Sequence, residues 1–373
     1  MTKSLRFVGL DVHKDSIVIA VAEEGREPAE VHCKVPNDWG TLRKTLKRLG
    51  KNHSLRCCYE AGPCGYGLYR EMKKAGIHCV VIAPSLVPVQ SGNRVKTDQR
   101  DAKKLAHFLR SGDLTEIFVP DEEAEALRDL ERAREDAKNT ERTARHQLGK
   151  FLLRHGRRWS KTNWTRDHLA WIGRQKFEHK AQQLVLTDYL KTVEDATARE
   201  KQLTEDLAEV IKESQLYPLI QALQAFRGIR LITAVTIAAE LVDLRRFRSA
   251  SQLMAFLGLV PSEHSSGQSQ RQGRITRTGN GHVRRVLVEA AWSYRFQPLM
   301  SKAIRARNKG VAPGIQRLAW KAQQRLHGRL YHLINKGKRR EKAITAVARE
   351  LAGFLWAVGQ EPELLAPDCL AKE

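Results

Sequence analysis

Residues 7–15 read F-V-G-L-D-V-H-K-D. Three apolar residues, Phe7, Val8 and Leu10, run up to one carboxylate, Asp11, and a second apolar run over residues 16–22 follows at once. Short Val- and Ile-rich runs joined by a polar turn predict a buried β-hairpin. Burying a carboxylate beside such a strand is costly unless a cation neutralises it. Asp11 is therefore either at a strand edge in water or a metal ligand, and the rest of the chain must separate the two.

Working outward, residues 1–120 read as α/β. A third short strand is predicted over residues 30–35. A helix with Leu42, Leu46 and Leu49 on one face follows, with Asn37 as its cap. A core strand over 55–59 ends in Glu60, A-G-P-C-G-Y-G turns into a helix over 68–75, and another core strand spans 78–83. K-T-D-Q-R-D-A-K-K-L-A-H-F-L opens a further helix. Four acids stand out: Asp11, Glu60 at a strand end, and Asp98 and Asp101 in the first turn of that helix. The last two are three apart and share a helix face. Acids also suit a helix N-terminus electrostatically, and a strand-end glutamate is often simply solvated. Taken in order on this strand and helix pattern, however, the four can converge their oxygens on one point. Hard oxygen ligands suit Mg²⁺ or Mn²⁺, and two such ions can clamp both oxygens of an in-line phosphoryl displacement.

The chain has 373 residues, a formal net charge of +23 and a pI of about 10.0. That excess points to a polyanionic partner. No apolar run approaches bilayer-spanning length and the N-terminus is not signal-like, so the expectation is a cytoplasmic, nucleoid-associated protein with no membrane partner. Cys33, Cys57, Cys58, Cys64, Cys79 and Cys369 form no C-x-x-C pair and read as free thiols, not a zinc site.

Residues 121–225 change character. Two long runs rich in Glu, Arg, Lys and Ala carry apolar residues at helical spacing: Leu127, Leu130, Ala133, Ala137, Leu148 and Leu152 in the first, and residues 185–211 forming the second. They read as a helical hairpin or as a coiled coil that pairs subunits. Between them lies a basic stretch with Trp159, Trp164 and Trp171, suited either to nucleic-acid stacking or to a small core. Residues 226–373 are predicted mainly α. Gly228 opens an apolar helix over 231–241, and Ser249 caps a second. The pair resembles a helix-hairpin-helix element whose turn holds phosphate on backbone N–H groups. The loop that follows gathers Ser262, Ser265, Ser266 and Ser269 beside Arg271, Arg274 and Arg277, and a helix begins near His282. A serine that attacks a phosphodiester needs such cations. Residues 271–349 hold 20 Lys and Arg against Glu289 and Glu341, which makes them the main polyanion surface. Arg284 and Arg285, just inside the helix start, are further candidates for phosphate contact.

Five segments together resemble a known family: G-L-D-V-H-K, Y-E-A-G-P-C-G-Y, K-T-D-Q-R-D-A, G-L-V-P-S-E-H-S-S-G and G-R-I-T-R-T-G-N-G-H-V-R-R-V-L. They look like the one-ten family of bacterial insertion-sequence transposases, which includes site-specific DNA invertases, and the likeness covers nearly the whole chain in order. It implies an N-terminal RuvC-like domain of ribonuclease H fold (1–120), a linking coiled coil (121–225) and a C-terminal transposase domain (226–373). It implies a metal site at Asp11, Glu60, Asp98 and Asp101, and an essential serine in H-S-S-G, placed at Ser266 with Ser265 as second choice. It also implies a structured guide, the bridge RNA, that pairs with target and donor DNA. Because recombination must cut several strands and the helices of 121–225 can pair protomers, a homo-oligomer, dimer or tetramer, is expected. The expected activity is RNA-guided DNA recombination through a covalent phosphoserine. A metal-dependent junction nuclease with a non-catalytic C-terminal half is the alternative, disfavoured by the Ser-rich loop. A non-catalytic RNA-binding protein is disfavoured by the four ordered acids.

Overall fold

Alternation along the first strand organises the N-terminal half. The computed structural model describes residues 5–88, 97–263, 265–266 and 271–361. It forms β1 (Arg6–Val12), β2 (Ser16–Glu23), β3 (Glu30–Pro36), α1 (Trp39–Leu49) and β4 (Leu55–Glu60). Then come α2 (Gly67–Lys74), β5 (His78–Ile82) and α3 (Asp98–Ser111). The strands make one sheet in the order β3-β2-β1-β4-β5. The β1–β2 and β2–β3 pairs are antiparallel, while β4 runs parallel to both β1 and β5. This arrangement is compatible with a ribonuclease H-like domain.

Val8 and Leu10 are buried on the face that carries Leu42 and Leu46 of α1 and Met72 of α2. The intervening Gly9 lies under α3. A side chain there would meet the Ala102 carbonyl oxygen at 2.3 Å and the Ala106 nitrogen at 2.4 Å, so the helix backbone rests directly on the sheet. Ala102, Leu105 and Ala106 bury against this second face with Val18, Ala20, Cys58 and Ile82. Thr97 caps α3, accepting from the Arg100 N–H at 3.3 Å. One expectation is corrected: Asp38, not Asn37, caps α1, accepting from Thr41 N at 2.7 Å. The first helical residue is Trp39, so the cap position falls on 38. Asn37 instead donates to the His13 and Lys14 carbonyls and braces the β1–β2 turn.

The chain divides into two compact units, residues 1–119 and 120–373. The second begins with α4 (Glu122–Arg154), α5 (Arg166–Gly173) and α6 (Lys180–Val210). The apolar stripe of α4 finds its partner within the same chain: Ala144, Leu148, Phe151 and Leu152 pack with Leu186 and Val193 of α6. Arg134 of α4 reaches Glu200 of α6 at 3.1 Å. The remaining elements are α7 (Tyr217–Gln224), α8 (Leu231–Leu241), α9 (Ala250–Phe256), β6 (Pro261–Glu263) and β7 (Gln272–Ile275). They continue with α10 (Gly281–Ala291), α11 (Lys302–Arg307), α12 (Pro313–Asn335) and α13 (Arg340–Gly359). The helices share one apolar core that includes Val235, Ala238, Leu287, Leu326 and Leu351. Among the described residues, no helix is long and apolar enough to cross a membrane.

Candidate active site

Register and alternation place the acids of the first unit. Leu10 pairs with Tyr59 across the parallel β1–β4 edge, so the next residues, Asp11 and Glu60, stand at one level on neighbouring strands roughly 4.8 Å apart. Both follow the alternation of Gly9 and Cys58, which face α3; the Cys58 thiol points at the Leu105 carbonyl, 3.6 Å away. Asp98 and Asp101 occupy the first turn of that same helix. The close seating of α3 on Gly9 thus carries the helical pair toward the strand-end pair.

One ligand atom each from Asp11, His13 and Asp98 lie within 4.8 Å of one another. His13 Nε2 is 3.1 Å from Asp11 Oδ2 and 3.5 Å from Asp98 Oδ1, and Lys34 Nζ is 3.8 Å from Asp98 Oδ2. Burial pushes the Asp11 carboxyl above its usual range; His13 opposes this, and the negative charges of Asp98 and Asp101 add to it. A half-buried carboxylate crowded by two others is the environment a hard divalent cation relieves. The donor set, mostly carboxylate oxygen, fits Mg²⁺ or Mn²⁺. His13 and Lys34 were not anticipated as members of the cluster. A D-x-H spacing at the end of a strand is the only signal in the sequence for His13, and Lys34 carries none.

In the second unit, Ser265 and Ser266 are exposed just past β6. β6 pairs antiparallel with β7 through Pro261–Ile275 and Glu263–Gln272. The Ser265 hydroxyl donates to Glu263 Oε1 at 2.6 Å. Gly267 and Ser269 lie outside the described residues. Arg271, Arg274 and Arg277 are exposed just before, within and just after β7. Arg277 has φ 57° and donates its N–H to the Gly258 carbonyl at 3.1 Å. Gly279, at φ 66°, admits no side chain, since a Cβ would lie 1.9 Å from the Phe256 carbonyl. The T-R-T-G-N turn is therefore held against the end of α9.

Arg284, a candidate for phosphate contact, is half-buried and bonded within the fold, whereas Arg285 is exposed and ion-paired at the surface. Arg284 donates to the Leu257 and Thr278 carbonyls at 2.9 and 2.8 Å. Arg285 meets Glu135 of α4 at 2.8 Å and Glu289 at 3.4 Å. Glu135 also holds His282 Nδ1 at 2.7 Å. Beside it, the buried Glu240 accepts from Arg132 at 2.8 and 3.1 Å and from the Asn280 amide at 2.7 Å. Asn280 in turn caps α10 through Val283 N. This polar clamp between α4, α8 and the start of α10 was not foreseen, because α4 stands more than a hundred residues from both of its partners. The Gly228 turn also reads differently. Gly228 has φ 84°, and a side chain there would lie 2.4 Å from the Ala290 carbonyl. Phe226 and Ile229 beside it are fully buried. The glycine serves close packing on α10, not an open phosphate cradle.

Known transposases match the chain over the units that carry these residues. A transposase model of the DEDD type matches residues 8–156. The model described as the transposase IS116/IS110/IS902 family matches residues 220–305. The chain is 45% identical to a putative transposase, y4qE, of Sinorhizobium fredii over 95% of its own length and 88% of the relative's. It is 31% identical to the transposase for insertion sequence element IS1533 of Leptospira borgpetersenii over 89% of this chain and 98% of that one. A probable family 20 transposase of Pseudomonas aeruginosa is 30% identical over 70% of this chain and 79% of its own. The chain is thus similar to transposases over nearly its full length, and it belongs to the IS116/IS110/IS902 family of DNA transposases.

Proposed function

We propose that this transposase cuts and rejoins DNA by serine transesterification, with a divalent metal at Asp11, Glu60, Asp98 and Asp101 and a structured guide RNA selecting donor and target. The observation that supports the reading is the cluster of Asp11, His13 and Asp98 beside Asp101 on the α3 face of the sheet, with Glu60 on the neighbouring strand at the level of Asp11 by register. When bound there, Mg²⁺ or Mn²⁺ supplies charge neutralisation for phosphate oxygens. The Ser266 oxygen attacks phosphorus, the Oγ–P bond forms, one DNA P–O bond breaks, the serine proton passes to a carboxylate or water, and the released deoxyribose oxygen takes up a proton to leave as a hydroxyl. Arg271, Arg274 and Arg277, exposed beside the serines, hold the phosphate. Arg284 and Arg285 are left to brace the turn that carries these cations. The net charge of +23 supports an RNA as well as a DNA partner.

We further propose a homo-oligomer, dimer or tetramer, since recombination must act on several strands and closed symmetry is the usual solution. One observation favours a second reading of the nucleophile: the Ser265 hydroxyl already bonds a carboxylate, Glu263. Ser266→Ala should abolish the covalent protein–DNA species on denaturing gels and leave DNA binding intact. If the adduct survives in Ser266→Ala and vanishes in Ser265→Ala, the nucleophile is Ser265. If neither change affects joining, a metal-dependent nuclease with attacking water replaces the serine mechanism. Nuclease digestion of the purified complex, followed by sequencing of any protected RNA, tests the guide.

A further inference from the structure

We propose that the far end of the α4–α6 hairpin, residues 154–180, is a separate binding surface for the phosphate backbone of duplex DNA. The proposal needs only that this transposase acts on DNA, not the serine chemistry above. Residues 154–180 contain eight Lys and Arg against two acids, Asp167 and Glu178. All eight cations are exposed, and among the described residues none forms an ion pair with a carboxylate. The stem of the hairpin is the contrast. There Arg132, Arg134, Lys138 and Arg145 are each matched to a glutamate. The stem thus pairs several of its cations with glutamates, whereas among the described residues none of the eight at the end has such a partner. Like charges so concentrated repel one another, and an external polyanion removes that cost.

The aromatic residues of this end explain how the cations are held. The Trp159 ring centre lies 5.4 Å from both His168 and Trp171, and Trp164 packs edge-on to His168 at 5.2 Å. His168 is buried, and its Nδ1 accepts the Trp164 N–H at 2.8 Å, fixing Trp164 at φ 64°. Trp159 Nε1 donates to the Thr162 carbonyl. These rings are occupied with one another, so they serve as a small core and not as a platform for unstacked bases. Arg157 sits over Phe177 and donates to the Lys176 carbonyl, and Lys161 lies over Trp159, which presets two of the cations. Fixed cations beside half-buried rings that pack on one another suit phosphate contact without base readout. From Glu135, which meets α10, to Arg154 is roughly 28 Å along α4, or about eight base pairs of duplex. The surface would therefore grip DNA away from the strands being joined.

The test is the full chain carrying Arg158→Gln, Arg166→Gln, Arg174→Gln and Lys180→Gln, none of which takes part in the aromatic packing. Binding to a 40-base-pair duplex is measured by fluorescence anisotropy over a range of salt. The slope of log affinity against log salt should become shallower by about 3 to 4, since each lost phosphate contact removes roughly 0.9. Thermal unfolding and light scattering should match the parent protein. An unchanged slope overturns the proposal. So does a change confined to structured RNA, or a change of oligomeric state with the duplex slope unaltered. Because binding is read without strand joining, the result stands whether or not Ser266→Ala forms an adduct.

Discussion

Gly9→Ala tests the link between packing and the acid cluster. The added methyl would sit 2.3 Å from the Ala102 carbonyl oxygen, 2.4 Å from Ala106 N and 2.9 Å from Leu105 Cβ. Ordinary contact begins near 3.4 Å, so α3 must retreat from β1 by about 1 Å. The clashing atoms are helix backbone and cannot rotate away. Overpacking of this kind costs about 1–3 kcal/mol. For a unit of this size the melting temperature should fall by roughly 4 °C per kcal/mol. Asp98, one turn before Ala102, and Asp101, next to it, ride on the same helix, while Asp11 stays with β1. The retreat therefore widens the cluster by a comparable distance. A 1 Å misplacement of reacting groups can cost about 10²-fold in rate. Strand joining on a plasmid carrying the element ends, in Mg²⁺ or Mn²⁺, should drop by about that factor. Duplex binding in EDTA should stay near that of the parent. Gly67→Ala is the control: a Cβ there would meet no atom within 4 Å, and the variant should melt no lower than the parent. If Gly9→Ala melts and joins DNA like the parent, α3 does not rest its backbone on β1.

Three further outcomes are expected. Asp11→Asn and Asp98→Asn should each remove any rise in melting temperature that Mg²⁺ or Mn²⁺ confers, and a retained rise would place the ion elsewhere. Burial alone raises the Glu240 carboxyl, but hydrogen bonds from Arg132 and Asn280 outweigh it and hold the group below the usual range. Its stabilising contribution is therefore present above the unfolded value of about 4.3 and is lost as pH falls through the lower folded value. Glu240→Gln should cost about 1.5–3 kcal/mol at pH 7 by denaturant melts. That gap should shrink as pH falls below the unfolded carboxylate range, and a gap independent of pH would rule out the charged clamp. Glu135→Gln should loosen the start of α10 and speed amide exchange there, an effect absent if the His282 and Arg285 contacts carry no energy.

The N-terminal half was legible from its sequence because its signals are local. Short apolar runs joined by a polar turn predict β1 and β2, and Asp98 and Asp101 share a helix face at a spacing of three. The long apolar stripes of α4 and α6 and the Ser249 cap of α9 were readable for the same reason. Periodicity reports that a face is buried, but not against what. Tertiary structure alone decided that the stripe of α4 packs on α6 of its own chain, and that Gly228 turns into α10 instead of toward solvent. It also decided that Arg285 answers to Glu135, 150 residues earlier in the chain, and that Glu240 is held by Arg132 and Asn280. A charged residue looks the same in a sequence whether it faces water, a phosphate or a buried partner. Which of these it meets depends on how distant elements are brought side by side, and no local pattern encodes that.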